Sequence, residues 1–144
     1  MTTRGAMINR STIGIALALF GSAIVSDQLV YRLFVVPRLD QWQAVPTWAW
    51  LVVASPMLLV GLAGGVSLCS RLQAVVAGLL ATAATQTYDY FAAISHSPGY
   101  GKSWALEAPL LFWSVGTVLN ALFLVGLLYV GVFARRVMAA VGSA

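Results

Sequence analysis

Few residues in this chain could do chemistry, and they lie far apart. Asp27, Arg32, Asp89, His96 and Glu107 stand in a sequence of 144 residues that holds four acidic and eight basic side chains and a single histidine. Carboxylates beside an arginine can hold a cation, pass a proton or simply pair with the guanidinium. On a helix at 100° per residue, Gly78, Ala81, Thr82, Thr85, Asp89, Ala92 and His96 fall within roughly a third of the circle. Val76, Leu80, Phe91 and Ile94 occupy the opposite side. Asp27 and Asp89 come out at nearly the same depth, with Glu107 slightly nearer the surface. Together with Arg32, His96 and the surrounding Tyr and Trp residues they would rim an outward-facing polar pocket. The plainer alternative is that Asp89 pairs with Arg32, Glu107 caps a helix and the aromatics form an outer belt.

Several chemistries fit poorly. The seven-residue step from Asp89 to His96 keeps both on one face but separates them by about 10 Å, too far for joint ligation, so no metal site is expected. One histidine supplies at most one axial haem ligand, leaving a methionine or another subunit to provide the second. Cys69 is alone, which excludes an intrachain disulfide and any CxxC pair. Ser95, His96 and Ser97 are consecutive but lack a strand-turn-helix elbow. No acid, base and nucleophile set assembles, which argues against an enzyme, and no resident cofactor is expected. Bound lipid, or a pigment or haem held by a partner, stays compatible with the sequence.

The elements that must carry these residues are membrane helices. The chain is 60% hydrophobic and 8% charged, with a mean hydropathy of +0.89, whereas soluble domains are about a quarter charged. The predicted fold class is an all-α integral membrane protein, one domain over 1–144. Its four transmembrane helices, at about 11–36, 46–69, 73–95 and 104–134, form an up-down-up-down bundle. The first apolar run follows Arg4 and Arg10 as a signal peptide would. It continues through Leu29, Val30, Leu33 and Phe34, so it reads as an uncleaved span ending at Pro37. Pro46 opens the second span and Pro56 should kink it. The tight turn at Ser70-Arg71-Leu72 makes spans two and three antiparallel neighbours. Pro109 is tolerable near the start of the fourth span, and Arg135 and Arg136 end it.

Small residues mark the faces expected to pack: Gly14, Ala18 and Gly21 in the first span, and Gly61 and Gly65 in the second. The third contributes Gly78, Ala81 and Thr85, and the fourth Gly116 with Asn120 near the midplane. The basic residues Arg4, Arg10, Arg71, Arg135 and Arg136 share one side with no acid. By the positive-inside rule both termini are cytoplasmic, N-in and C-in, and a bacterial cytoplasmic membrane is the natural setting. The scattered positive charge forms no nucleic-acid patch. Short loops, small-residue faces and outer aromatics suit an accessory or interaction subunit of a larger membrane complex, with other membrane proteins and the bilayer as partners. The alternative is a small oligomeric transporter or channel with an acidic vestibule of Asp27, Asp89 and Glu107. A homo-oligomer fits either.

Overall fold

In a computed structural model the structure describes residues 9–32, 47–68, 70–95 and 102–142, and every regular element among them is helical. Helix α1 spans Arg10–Val30, α2 Thr47–Ser67, α3 Arg71–Ser95, α4 Lys102–Glu107 and α5 Pro109–Val141. Two of them, α1 and α5, are long and apolar enough to cross a membrane, and α2 contains a shorter apolar stretch, Leu51–Ser67.

Local chemistry sets the helix ends. Asn9 caps α1: its Oδ1 accepts from the Thr12 amide at 2.8 Å and from the Thr12 hydroxyl at 2.9 Å. Ser70 does the same for α3, accepting from the Gln73 amide at 3.2 Å. The C-terminus of α2 is closed from outside, because Arg135 donates to the Leu68 carbonyl at 2.9 Å and places a cation at the negative end of the helix dipole. Pro56 sits inside α2 without ending it. A proline there has no N–H for the Val52 carbonyl, and the Ser55 hydroxyl donates to that carbonyl at 2.7 Å instead.

The last helix differs from the sequence expectation at both ends. Glu107 closes α4, Ala108 leaves helical geometry at φ −136° and ψ 59°, and Pro109 begins α5 at its first position. Proline disfavours helical geometry in the residue before it but suits a helix start, so the break falls there and not further upstream. At the other end α5 continues past Arg135 and Arg136 to Val141. Arginine is a good helix former, and Arg135 turns its charge to capping α2 instead of stopping its own helix. In the first span the regular α-helix gives way after Val30 to a wider π turn through Tyr31 and Arg32. The expected end at Pro37 lies outside the described residues.

The four long helices form a ring in the order α1, α2, α5, α3. α5 packs on α3 and α2, and α1 packs on α3 and α2, while among the described residues α2 and α3 share no comparable seam. Their directions alternate along the chain. Gly61 lies against Leu127, Gly65 against Leu128 and Gly131, and Leu68 against Arg135, so α2 and α5 run parallel. Gly78 lies against Val125 and Gln86 against Gly116, so α3 and α5 run antiparallel. This corrects the expectation that a short turn makes α2 and α3 neighbours. The three-residue link carries the chain across the ring, because the small faces of α2 and α3 both fit α5: Gly65 and Gly131 bring two backbones together, and Gly78 admits Val125.

Ala16, Leu19, Leu68, Ala74, Ala77, Ala81, Leu124, Leu128 and Val132 make the core. On α1 the bundle face is Thr12, Ala16, Leu19, Ala23 and Ser26, spaced by threes and fours as a packed seam requires. The predicted packing stripe of Gly14, Ala18 and Gly21 is a different face. Gly14 and Ala18 are exposed, and a methyl group added at Gly14 or Gly21 would meet no atom within 4 Å. The side of α1 turned to the bundle carries the larger Leu19 and Thr12, both fully buried.

Candidate functional site

The face of α3 chosen from sequence is the one that packs: Gly78, Ala81, Thr82, Thr85 and Ala92 are buried and Asp89 is half-buried, while Leu80 and Phe91 are exposed. Toward its C-terminal end this face carries two hydrogen-bonded groups, one toward α1 and one toward α5.

Toward α1, the Tyr88 hydroxyl donates to Asp27 Oδ2 at 3.1 Å and accepts from Gln28 Nε2 at 3.1 Å. Phe20 meets the Tyr88 ring edge-on, with centroids 6.4 Å apart. The tyrosine thus spans from α3 to two adjacent polar residues on α1 and holds the carboxylate by an O–H···O bond.

Toward α5, the buried Gln86 donates from Nε2 to the Phe112 carbonyl at 3.2 Å. Asn120 donates from Nδ2 to Gln86 Oε1 at 3.2 Å and to Asp89 Oδ2 at 3.4 Å. Gly116 makes this possible: a methyl group there would overlap the Gln86 carboxamide. Between the helices lies an open groove of about 280 Å3 lined by Gln86, Asp89, Phe112, Val115, Gly116, Leu119 and Asn120. Next to it Tyr90 stacks at an angle on Trp113, with centroids 5.7 Å apart, and meets Phe112 at 6.1 Å.

Two more hydroxyls at this end, Ser26 Oγ on α1 and Thr85 Oγ1 on α3, are buried without a hydrogen-bond partner among the described residues. Measured along the helices at 1.5 Å per residue, Asp27 and Asp89 stand about 26 Å from Arg10 and Arg71 at the opposite end.

The structure therefore brings Asp27 to Tyr88 and Asp89 to Asn120, and leaves the other expected members apart. Arg32 is exposed, and among the described residues no ion pair joins it to Asp89, whose partner is the Asn120 amide. Glu107 is exposed on α4. His96 lies outside the described residues, as does Cys69. Among the described residues no three His, Cys, Asp or Glu side chains come together as a metal site would need.

Gln86 is the residue whose importance the helical arc did not bring out. It stands four residues after Thr82 and three before Asp89, so it shares their side of the helix, and its burial makes a partner obligatory. What these groups offer chemically is acceptor capacity: carboxylates fixed by neutral donors, suited to holding a cation or a proton.

Comparison of the chain with protein-family models, with curated proteins and with solved structures finds no match in any of the three.

Proposed function

We propose that the protein is a four-span membrane bundle that serves as an accessory subunit, packing against other membrane proteins through helix faces its own fold leaves open. The observation that carries this reading is the stripe of Gly14, Ala18 and Gly21 on α1. It lies away from the core, with nothing near either glycine. Small residues at four- and three-residue steps let a second helix approach closely in lipid, where packing and not the hydrophobic effect drives association. The apolar exterior supports the membrane setting: Leu17 is 63% exposed, Leu59 69%, Leu122 69% and Phe133 66%, far more apolar surface than a soluble monomer carries. At about 50 Å, the 33 residues of α5 exceed a hydrocarbon core of about 30 Å. Arg10, Arg71, Arg135 and Arg136 at one end support a cytoplasmic placement of both termini.

The test is purification from the native membrane in mild detergent. Stoichiometric membrane partners are expected, and Gly14→Leu with Ala18→Leu should release them without lowering the thermal stability of the isolated chain. Recovery of a stable lone monomer from native membranes would overturn the reading.

A second reading, a small transporter or channel, is favoured by one observation: Asp89 is half-buried within a span and is held by an amide, with no cationic partner among the described residues. A charged group costs about 2.5–3.5 kcal/mol at mid-membrane on insertion scales and less toward the interface, and a transported cation or proton would relieve whatever part of that cost Asp89 bears, six residues from the end of α3. Asp89→Asn should then abolish a cation or proton flux measured in liposomes, and undiminished flux would remove Asp89 from the path.

A further inference from the structure

We propose that the groove between α3 and α5 binds a small lipophilic cation, an ammonium group on a compact apolar body, with Asp89 as its counter-charge. The inference rests on the site of the transporter reading but concerns binding and not transport.

The lining divides into two parts. Asp89, Gln86 and Asn120 form a polar floor, and Phe112, Val115 and Leu119 form apolar walls. Both amide nitrogens of the floor donate within the protein, Gln86 Nε2 to the Phe112 carbonyl and Asn120 Nδ2 to Gln86 Oε1. What the floor has to spare is acceptor capacity, most of it on Asp89. An ionised carboxylate has about four lone-pair sites, and its contact with Asn120, at 3.4 Å, is long for an N–H···O bond. A ligand meeting this floor gains most by bringing N–H donors and positive charge. An anion would face the carboxylate, and a hard metal ion would find one carboxylate and two amides where it wants six or more oxygens.

The walls select the rest of the ligand. Val115 is 37% exposed and Leu119 61%, so the mouth opens through the side of the bundle, among apolar side chains. A solute that partitions into lipid can enter there, and the fully hydrated ion is disfavoured. The volume, about 280 Å3, sits at the lower edge of small-molecule pockets, about 300 Å3 and upward. It suits a single ring or short alkyl chain. Phe112 brings an aromatic ring to the lining, the kind of surface that can favour a cation over a neutral analogue.

The experiment is calorimetric titration of the full-length protein in mild detergent with phenethylammonium, and with phenethyl alcohol as the uncharged analogue of similar shape. Saturable binding of the ammonium is expected, with the alcohol about tenfold weaker or worse, since a charge-assisted contact exceeds the 1.4 kcal/mol that tenfold represents. Asp89→Asn should weaken the ammonium by about tenfold or more and bring it level with the alcohol, while Asp89→Glu keeps the preference for charge. Leu119→Trp, which fills the groove and leaves the carboxylate in place, should also abolish binding. Absence of saturable ammonium binding, equal affinity for the alcohol, or insensitivity to either Asp89→Asn or Leu119→Trp would each overturn the proposal. If Asp89→Asn loses its cooperative thermal transition, the ammonium and alcohol pair on the unaltered protein and Leu119→Trp decide the matter. Binding that behaves as expected without any flux in liposomes would sustain the site and sink the transporter reading.

Discussion

Glycines in this chain do opposite things according to what faces them, and sequence alone does not tell them apart. Gly65 touches a second backbone: a methyl group there would overlap the Leu128 carbonyl and stand 2.8 Å from Gly131 Cα. Neither neighbour is the flexible end of a side chain, so the helices must part. Gly65→Ala is expected to destabilise the protein by about 1–3 kcal/mol, the usual cost of overpacking. Gly14→Ala, made in open space within a helix, should be neutral or stabilising by up to about 1 kcal/mol. Thermal or denaturant unfolding of the two variants in detergent checks the contrast, and equal effects would show that α2 and α5 do not meet at Gly65. Both glycines look alike in sequence, Gly14 opening one spacing of small residues and Gly65 closing another. What separates them is the partner across the helix, which no pattern within one helix can reveal. Asp89 was legible in the same partial way. Its position on the packed face of α3 follows from the 3.6-residue period, but the identity of its partner does not. Arg32 offered the opposite charge, whereas Asn120 offered an amide at the right height on the right helix.

At the scale of elements, helix existence was clearly written and helix ends were not. Long apolar stretches placed all four long helices, because a continuous apolar run of that length has few other solutions. The ends depended on single residues. Pro109 moved the start of α5, and Arg135 failed to stop it because its guanidinium reaches Leu68. Within α2, Pro56 removes a backbone donor and Ser55 replaces it. That substitution of one donor for another makes a non-additive prediction. Ser55→Ala alone should cost roughly 1 kcal/mol, the net worth of a hydrogen bond to an otherwise unpaired carbonyl. In a Pro56→Ala background the same change should cost almost nothing, since residue 56 regains an N–H for the Val52 carbonyl. A double-mutant cycle on unfolding free energy reads the difference, and additive effects would mean that Ser55 is not serving that carbonyl.

For the whole molecule, the order of helices around the ring is the feature that sequence could not supply. Short loops suggested that each helix lies beside the next, and that holds for α1 with α2. It fails between α2 and α3, because a turn fixes only the separation of two helix ends, not which long faces meet. Those faces are chosen by fit: Gly65 on Gly131, Gly61 on Leu127, Gly78 on Val125. Paired cysteines test the order. With Cys69 replaced by serine, Gly61→Cys with Leu127→Cys should cross-link under mild oxidation once the two helices part by about 1 Å, since a Cβ at position 61 lies 2.8 Å from the Leu127 Cβ and a disulfide spans about 3.5–4.5 Å between Cβ atoms. Leu62→Cys with Leu79→Cys, which would face each other if α2 and α3 packed side by side, should not. The reverse pattern would restore the sequential ring.

The same ring also implies an order of assembly. It divides into two helical hairpins, α1 with α2 and α3 with α5, each antiparallel and each joined by its own connection. The first hairpin can form as soon as α2 is synthesised, before any residue of α3 exists, and the second forms from the remaining chain. Joining the hairpins takes two seams, Gly65 on Gly131 between α2 and α5 and Tyr88 on Asp27 between α1 and α3. Damage to either seam would therefore leave two intact halves that fail to join.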